Sequence, residues 1–171
     1  MAAELFIGDP APPFHAIATG TGYPAEGEEV RLDSLRGRRV VLYFYPQDDT
    51  PGCTEQACAI RDAWEEFCQR ATLFGVNNGS AADHRRFIEK FALPFPLLSD
   101  SGDAIAKAYG LWLGEGGGGD AEGGAPTERS TFIIDEEGCI ERILRRVKPA
   151  EHAGFLLDIL RGADQKRATA S

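Results

Sequence analysis

The sequence predicts an α/β fold: a mixed central sheet with helices on both faces. Three observations carry that expectation. Strand-like apolar runs occur at residues 39–45, 71–77 and 130–135, helical patterns lie between the runs, and a strand pair followed by an amphipathic helix closes the chain. The 171 residues are expected to form one domain, 1–171. With 43% hydrophobic and 9% aromatic residues, the chain holds enough apolar material for a core without disulfide staples.

Residues 1–37 are rich in Pro, Gly and charge and read as an extended first segment, with a small hairpin (15–17 with 30–32) and a turn at 33–35. RVVLYFY at 39–45 is unbroken β-branched and aromatic sequence, the mark of a strand buried on both faces, and Pro46 stops it. A helical pattern spans 50–69, and ATLFGVN at 71–77 is a second buried strand. Ser80 is a fitting N-cap for a helix over 80–91, with Phe87, Ile88 and Phe91 on one face. LPFPLLSD holds a short third strand, and 103–109 a short helix. Residues 113–124 contain seven glycines and read as a mobile loop. STFIID, the turn EEG and residues 139–147 form a hairpin. Pro149 opens the last helix, in which Phe155, Leu156, Ile159 and Leu160 are the apolar face. Residues 162–171 read as a tail, its DQKRATAS stretch disordered.

A formal charge of −9, from 18 Lys+Arg against 27 Asp+Glu, argues against a nucleic-acid partner, which needs a basic surface. No basic-then-apolar leader is visible at MAAELFIGDPAPPF, and no apolar run approaches the roughly 20 residues of a membrane span. The expected setting is soluble and cytoplasmic. Four cysteines are too few for a disulfide scaffold and, in a reducing compartment, point to catalysis, metal binding or buried filler.

The chemistry concentrates in YPQDDTPGCTEQACAIRD, residues 45–62. Thr50 suits an N-cap and Pro51 the first helical position, which places Cys53 third in the helix. There the unsatisfied N–H groups and the positive end of the helix dipole favour an anion, so a sulfur is pushed toward the nucleophilic thiolate. On a helical wheel with Ile60 at zero, Ala57, Trp64 and Phe67 fall within about 60°, Cys53 at about 20° and Cys58 at about 160°. Cys53 thus faces inward and Cys58 outward, about 7.5 Å apart along the axis. Cysteines whose Cα atoms are more than about 7 Å apart cannot bridge without backbone movement. Joining these two requires the start of the helix to unwind.

The segment Pro46-x-x-x-Thr50-x-x-Cys53 resembles the active-site loop of the peroxiredoxins, and the second cysteine five residues on is similar to the Q-type, or bacterioferritin comigratory protein, branch. FPLLSD at 95–100 and ERSTFIID at 128–135 are similar as well. The resemblance implies a thioredoxin-like fold and a thiol peroxidase that reduces hydrogen peroxide and organic hydroperoxides. It implies Cys53 as peroxidatic and Cys58 as resolving cysteine, joined as an intramolecular disulfide. Thr50 would hydrogen-bond sulfur and peroxide, Pro46 would shield the sulfur, and Arg129 would place a fixed charge beside it. Thioredoxin or a similar dithiol would be the reductant, with no metal, haem or flavin. The internal resolving thiol favours a monomer, with a weak dimer as the alternative. Gln47 departs from the family pattern, where Lys is expected, as does 77–79 (NNG), where Ser-x-Asp is more usual.

Competing readings are weaker. A thioredoxin-like disulfide reductase favours two cysteines separated by two residues at a helix start, and this chain has no such pair. A zinc module from Cys58, Cys68, Cys139 and His84 lacks close paired spacing. A redox sensor or holdase without turnover fits the same motif. Cys68 reads as core filler beside Trp64 and Phe67, Cys139 as structural, and His15, His84 and His152 as solvated or structural.

Overall fold

The computed structural model describes residues 4–114 and 127–170. Its frame is the run expected to be central. β3 (Val40–Phe44) is buried at every position, and its alternating side chains feed two separate cores. Val40, Leu42 and Phe44 join one core with Phe74, Val76, Leu98 and Phe132; Val41 and Tyr43 join the other with Leu73, Leu97 and Ile133.

Around β3 the sheet has seven strands in the order β2-β1-β5-β4-β3-β6-β7. The others are β1 (His15–Thr19), β2 (Glu28–Arg31), β4 (Thr72–Asn77), β5 (Leu97–Ser99), β6 (Ser130–Ile134) and β7 (Ile140–Leu144). β3, β4 and β5 run parallel; the remaining pairings are antiparallel, which makes the sheet mixed as the sequence predicts. The first hairpin forms in the anticipated register, with His15 opposite Arg31 and Ala16 opposite Val30. Upstream of it, Gly8 and Ala11 donate backbone hydrogen bonds to Ile140 and Gly138, so the extended first segment lies against the start of β7.

Helices α1 (Pro51–Asp62), α2 (Trp64–Arg70), α3 (Ala81–Phe91) and α5 (Pro149–Ala170) supply Cys53, Ile60, Phe67, Phe87, Leu156 and Leu160 to one core. On the opposite face α4 (Ala104–Ala108) contributes Ile105 and Ala106. Ser80 caps α3 as expected: its side chain accepts from the Asp83 N–H, and the Asp83 carboxylate accepts from the Ser80 N–H.

Three expectations are corrected. The helix predicted over 50–69 is divided at Ala63, whose φ of −109° and ψ of 14° lie outside the helical range and whose N–H donates to the Ile60 carbonyl in a tighter turn. The break changes the phase of the wheel beyond it, so Cys68 is exposed instead of filling the core, while Phe67 stays buried. The tail read as disordered is helical, since α5 continues to Ala170. Ala, Gln, Lys and Arg are good helix formers, and Asp164 is anchored by ion pairs from the buried Arg39 and from Arg70. Of the glycine-rich stretch, residues 115–124 lie outside the described residues; on either side of it, Trp112 and Thr127 form an antiparallel bridge. Among the described residues no helix is long and apolar enough to cross a membrane.

Gly75 in β4 shows how closely the sheet packs beneath α1. A Cβ there would lie 2.7 Å from Leu97 Cδ2 and 2.9 Å from the Tyr43 ring and hydroxyl. Gly75→Ala should therefore cost about 1–3 kcal/mol in urea unfolding; an unchanged midpoint would show that Tyr43 can move aside freely.

Candidate active site

The end of β3 delivers the chain to the site. Tyr45 continues the buried run, Pro46 is buried after it, and the loop 46–50 turns through Asp49, whose φ of 60° is left-handed. Asp48 holds this loop down. Its carboxylate accepts from Tyr45 Oη at 2.6 Å and Asn77 Nδ2 at 3.0 Å, and it meets His84 Nδ1 at 2.7 Å. His84, read as solvated or structural, is fully buried, and its Nε2 lies 3.2 Å from the Leu98 carbonyl. A carbonyl only accepts, so Nε2 donates to Leu98, and the ring ties the Asp48 carboxylate of the loop to β5.

Thr50 is the N-cap of α1 and Pro51 the first helical residue, so Cys53 occupies the third helical position as the sequence predicts. The Thr54 N–H closes the first turn on the Thr50 carbonyl at 2.8 Å. The Thr50 side chain makes no capping bond; its hydroxyl donates to the Gln47 carbonyl at 3.4 Å. Cys53 is 1% exposed, among Tyr43, Tyr45, Ala57 and Ile60. Burial, followed by the charge of Asp48, pushes the Tyr43 and Tyr45 phenols well above their ordinary range, so both rings remain neutral.

Arg129 arrives from the start of β6. Its Nη1 lies 3.4 Å from Cys53 Sγ and donates to Gln56 Oε1 at 2.7 Å. The preceding Glu128 is occupied otherwise: it pairs with Arg145 at 2.7 Å and Arg146 at 3.2 Å and accepts from Ser130 Oγ at 2.6 Å. Burial opposes ionisation of Glu128, but the bonds from Arg145, Ser130 and Arg146 outweigh it and hold the carboxyl below its usual range. The β6 start is thereby pinned and Arg129 is aimed across the sheet end at α1.

Of the anticipated residues, the structure brings Cys53 and Arg129 together directly and places Pro46 and Thr50 on the loop leading into α1. Cys58 is half-buried on the same helix, five residues on. Sequence reasoning did not single out Gln56, and it read His152 as solvated or structural. Gln56 is fully buried, and its Nε2 lies 3.0 Å from His152 Nδ1; His152 Nε2 in turn lies 2.7 Å from Thr131 Oγ1. Gln56 falls one turn after Cys53, on the same inward side, and that phase is the signal that would have found it. A large groove of 1090 Å³ lies between β7 and α5 and includes neither Cys53 nor Arg129.

A buried sulfur at a helix start, faced by a guanidinium and set on a thioredoxin-like sheet, defines a thiol-dependent peroxidase. The chain belongs to the AhpC/TSA family, whose model matches residues 7–143. It is 42% identical over 128 residues to a putative peroxiredoxin bcp of Coxiella burnetii (74% of this chain, 83% of that one) and 42% identical over 142 residues to peroxiredoxin Bcp of Bacillus subtilis (82% and 88%). Among solved structures it is similar to peroxidoxin BcpB from Mycobacterium tuberculosis (TM-score 0.76, 30% identity, covering 91% and 96% of the two chains). It is likewise similar to Xanthomonas campestris peroxiredoxin Q (TM-score 0.75, 31% identity, 87% and 90%). The resemblance seen in the loop motif is thus borne out, and with it a peroxide substrate and a thiol reductant.

Burial, then the charge of Arg129, lowers the His152 pKa from 6.5 to about 3. The unfolded chain binds that proton more tightly, so the contribution to stability is complete above about pH 6.5 and is lost as pH falls toward 3. Urea unfolding of His152→Asn should show a pH slope shallower by up to about 1.4 kcal/mol per unit in that window; a slope equal to that of the parent protein would contradict the assignment.

Proposed function

We propose that Cys53 is the peroxidatic cysteine, Cys58 the resolving cysteine, and Arg129, Thr50 and Pro46 the groups that prepare the sulfur and the peroxide. The observation that carries this reading is the 3.4 Å contact between Arg129 Nη1 and a sulfur that is almost wholly buried at the third position of a helix. An anionic sulfur away from water needs a compensating charge and hydrogen bonds, and Arg129 and the helix start supply them. The Cys53 thiolate attacks the terminal peroxide oxygen. The S–O bond forms as the O–O bond breaks, and the departing alkoxide or hydroxide takes up a proton to leave as alcohol or water. Fixed donors near the breaking bond stabilise the charge that develops there. The Thr50 hydroxyl, which donates to the Gln47 carbonyl, can turn about χ1 to join them, and the buried Pro46 keeps water from the sulfur.

The Cys58 thiolate then attacks the sulfenic sulfur and expels hydroxide, which leaves as water. Both cysteines lie in α1, five residues and about 7.5 Å of helix rise apart, so its first turns must unwind before the bond can form. Thioredoxin or a similar dithiol reduces the disulfide by exchange, becoming oxidised itself. Hydrogen peroxide and organic hydroperoxides are the substrates, without metal, haem or flavin. A monomer in the cytoplasm fits the internal resolving thiol, with a weak dimer as the alternative. The acidic charge of −9 disfavours nucleic acid, and no membrane partner is invoked.

Cys53→Ser should abolish peroxide consumption, and retained turnover would end the proposal. Cys58→Ser should accumulate sulfenic acid after one equivalent of peroxide and lose dithiol-supported turnover. Peptide mapping of the oxidised parent protein should give a 53–58 disulfide; a bond from Cys53 to Cys68 or Cys139 would reassign the resolving residue.

A further inference from the structure

We propose that His152, on the first turn of α5, is a positioning residue: its Nδ1 lone pair fixes the orientation of the Gln56 amide, which in turn holds Arg129 against the Cys53 sulfur. The inference rests on Cys53 being the nucleophile and goes beyond it by assigning a role to a buried histidine that touches neither sulfur nor substrate.

The argument is one of donors and acceptors. A guanidinium only donates. Arg129 Nη1 lies 2.7 Å from the Gln56 side chain, so the group facing it is the amide oxygen, and the amide NH₂ must point the other way. It points at His152 Nδ1, 3.0 Å distant, and that nitrogen must accept. The ring proton therefore sits on Nε2 and is donated to Thr131 Oγ1 at 2.7 Å. Each identity in the chain Arg129–Gln56–His152–Thr131 follows from the one before. His152 is 1% exposed, and burial keeps the ring neutral, which preserves its lone pair.

Without an acceptor at Nδ1, the buried NH₂ of Gln56 loses its partner. The amide can then rotate by half a turn and present its donors to Arg129, driving the guanidinium away from the sulfur. The same bond also ties α1 to α5. Gln56 lies between Cys53 and Cys58, so unwinding α1 for disulfide formation must break it. Losing the tie should therefore have opposite effects on the two steps: attack on peroxide slows because Arg129 is misplaced, and resolution quickens because α1 is released. A residue that merely fills space would not produce that opposition.

Two measurements test this. In ¹⁵N–¹H spectra of the reduced protein, His152 should appear as the Nε2–H tautomer with Nδ1 unprotonated at neutral pH. An Nδ1–H tautomer would overturn the proposal while leaving Cys53 as the nucleophile; retained activity in Cys53→Ser would remove the nucleophile and leave the tautomer result standing. In single-turnover kinetics, His152→Phe should slow Cys53 oxidation about ten- to a hundredfold, the scale of a small misplacement at a reacting centre, while disulfide formation from the sulfenic acid becomes faster. His152→Asn, which keeps an acceptor at the δ position, should restore most of the oxidation rate. Oxidation at the parent rate in folded His152→Phe, or an Asn variant as slow as Phe, would overturn it. If His152→Phe does not fold, the Asn variant and the tautomer decide.

Discussion

The site depends on a cationic nitrogen held 3.4 Å from a sulfur that is almost wholly withdrawn from water. An ionised group in such surroundings costs several kcal/mol unless it is paired, so the surrounding architecture serves to keep Arg129 and Cys53 together. β3 carries the chain to the end of the sheet through two cores, Pro46 stops the strand, the Asp48 cluster fixes the loop, and α1 begins so that Cys53 takes its third position. From the other side, the Glu128 ion pairs fix the start of β6 from which Arg129 extends. Neither half would position the pair alone.

The same packing opposes the unwinding that the proposed disulfide step requires. Cys53, Ala57 and Ile60 belong to the core, so unwinding α1 exposes apolar surface and breaks the hydrogen bonds of Gln56. The break at Ala63 limits that cost. α2 is a separate segment, held by Phe67 in the core and by the ion pairs of Glu66 with Arg70 and Arg161. Local opening of α1 can thus end at Ala63 and leave the second helix in place, in keeping with the uneven stability of folded proteins. In the proposed cycle, the balance between a well-held sulfur and a releasable helix would set the ratio of the two chemical steps.

Much of this was legible in the sequence. The unbroken run at 39–45 marked the central strand because a strand buried on both faces needs no polar alternation, and Thr50-Pro51 marked the helix start that places Cys53. Charge and polarity gave less. His84 and His152 read as solvated or structural, and composition does not decide between the two; their burial follows from Asp48, Gln56 and Thr131, which are distant in sequence and supply the hydrogen bonds. Cys68 was misplaced because a wheel assumes a continuous helix, and nothing in the local composition at Ala63 signals the break. The helical tail was missed because its anchor, Asp164, is held by Arg39 and Arg70 from far along the chain.

The central claim is that the guanidinium at position 129 activates the sulfur at position 53. It is tested most directly by the single-turnover rate of Cys53 oxidation in Arg129→Gln, which removes the charge while keeping a side chain capable of hydrogen bonding. The account predicts a fall of about 10²–10³, the scale of losing one preorganised donor at a reacting centre, with the fold retained. A rate within twofold of the parent protein would contradict it.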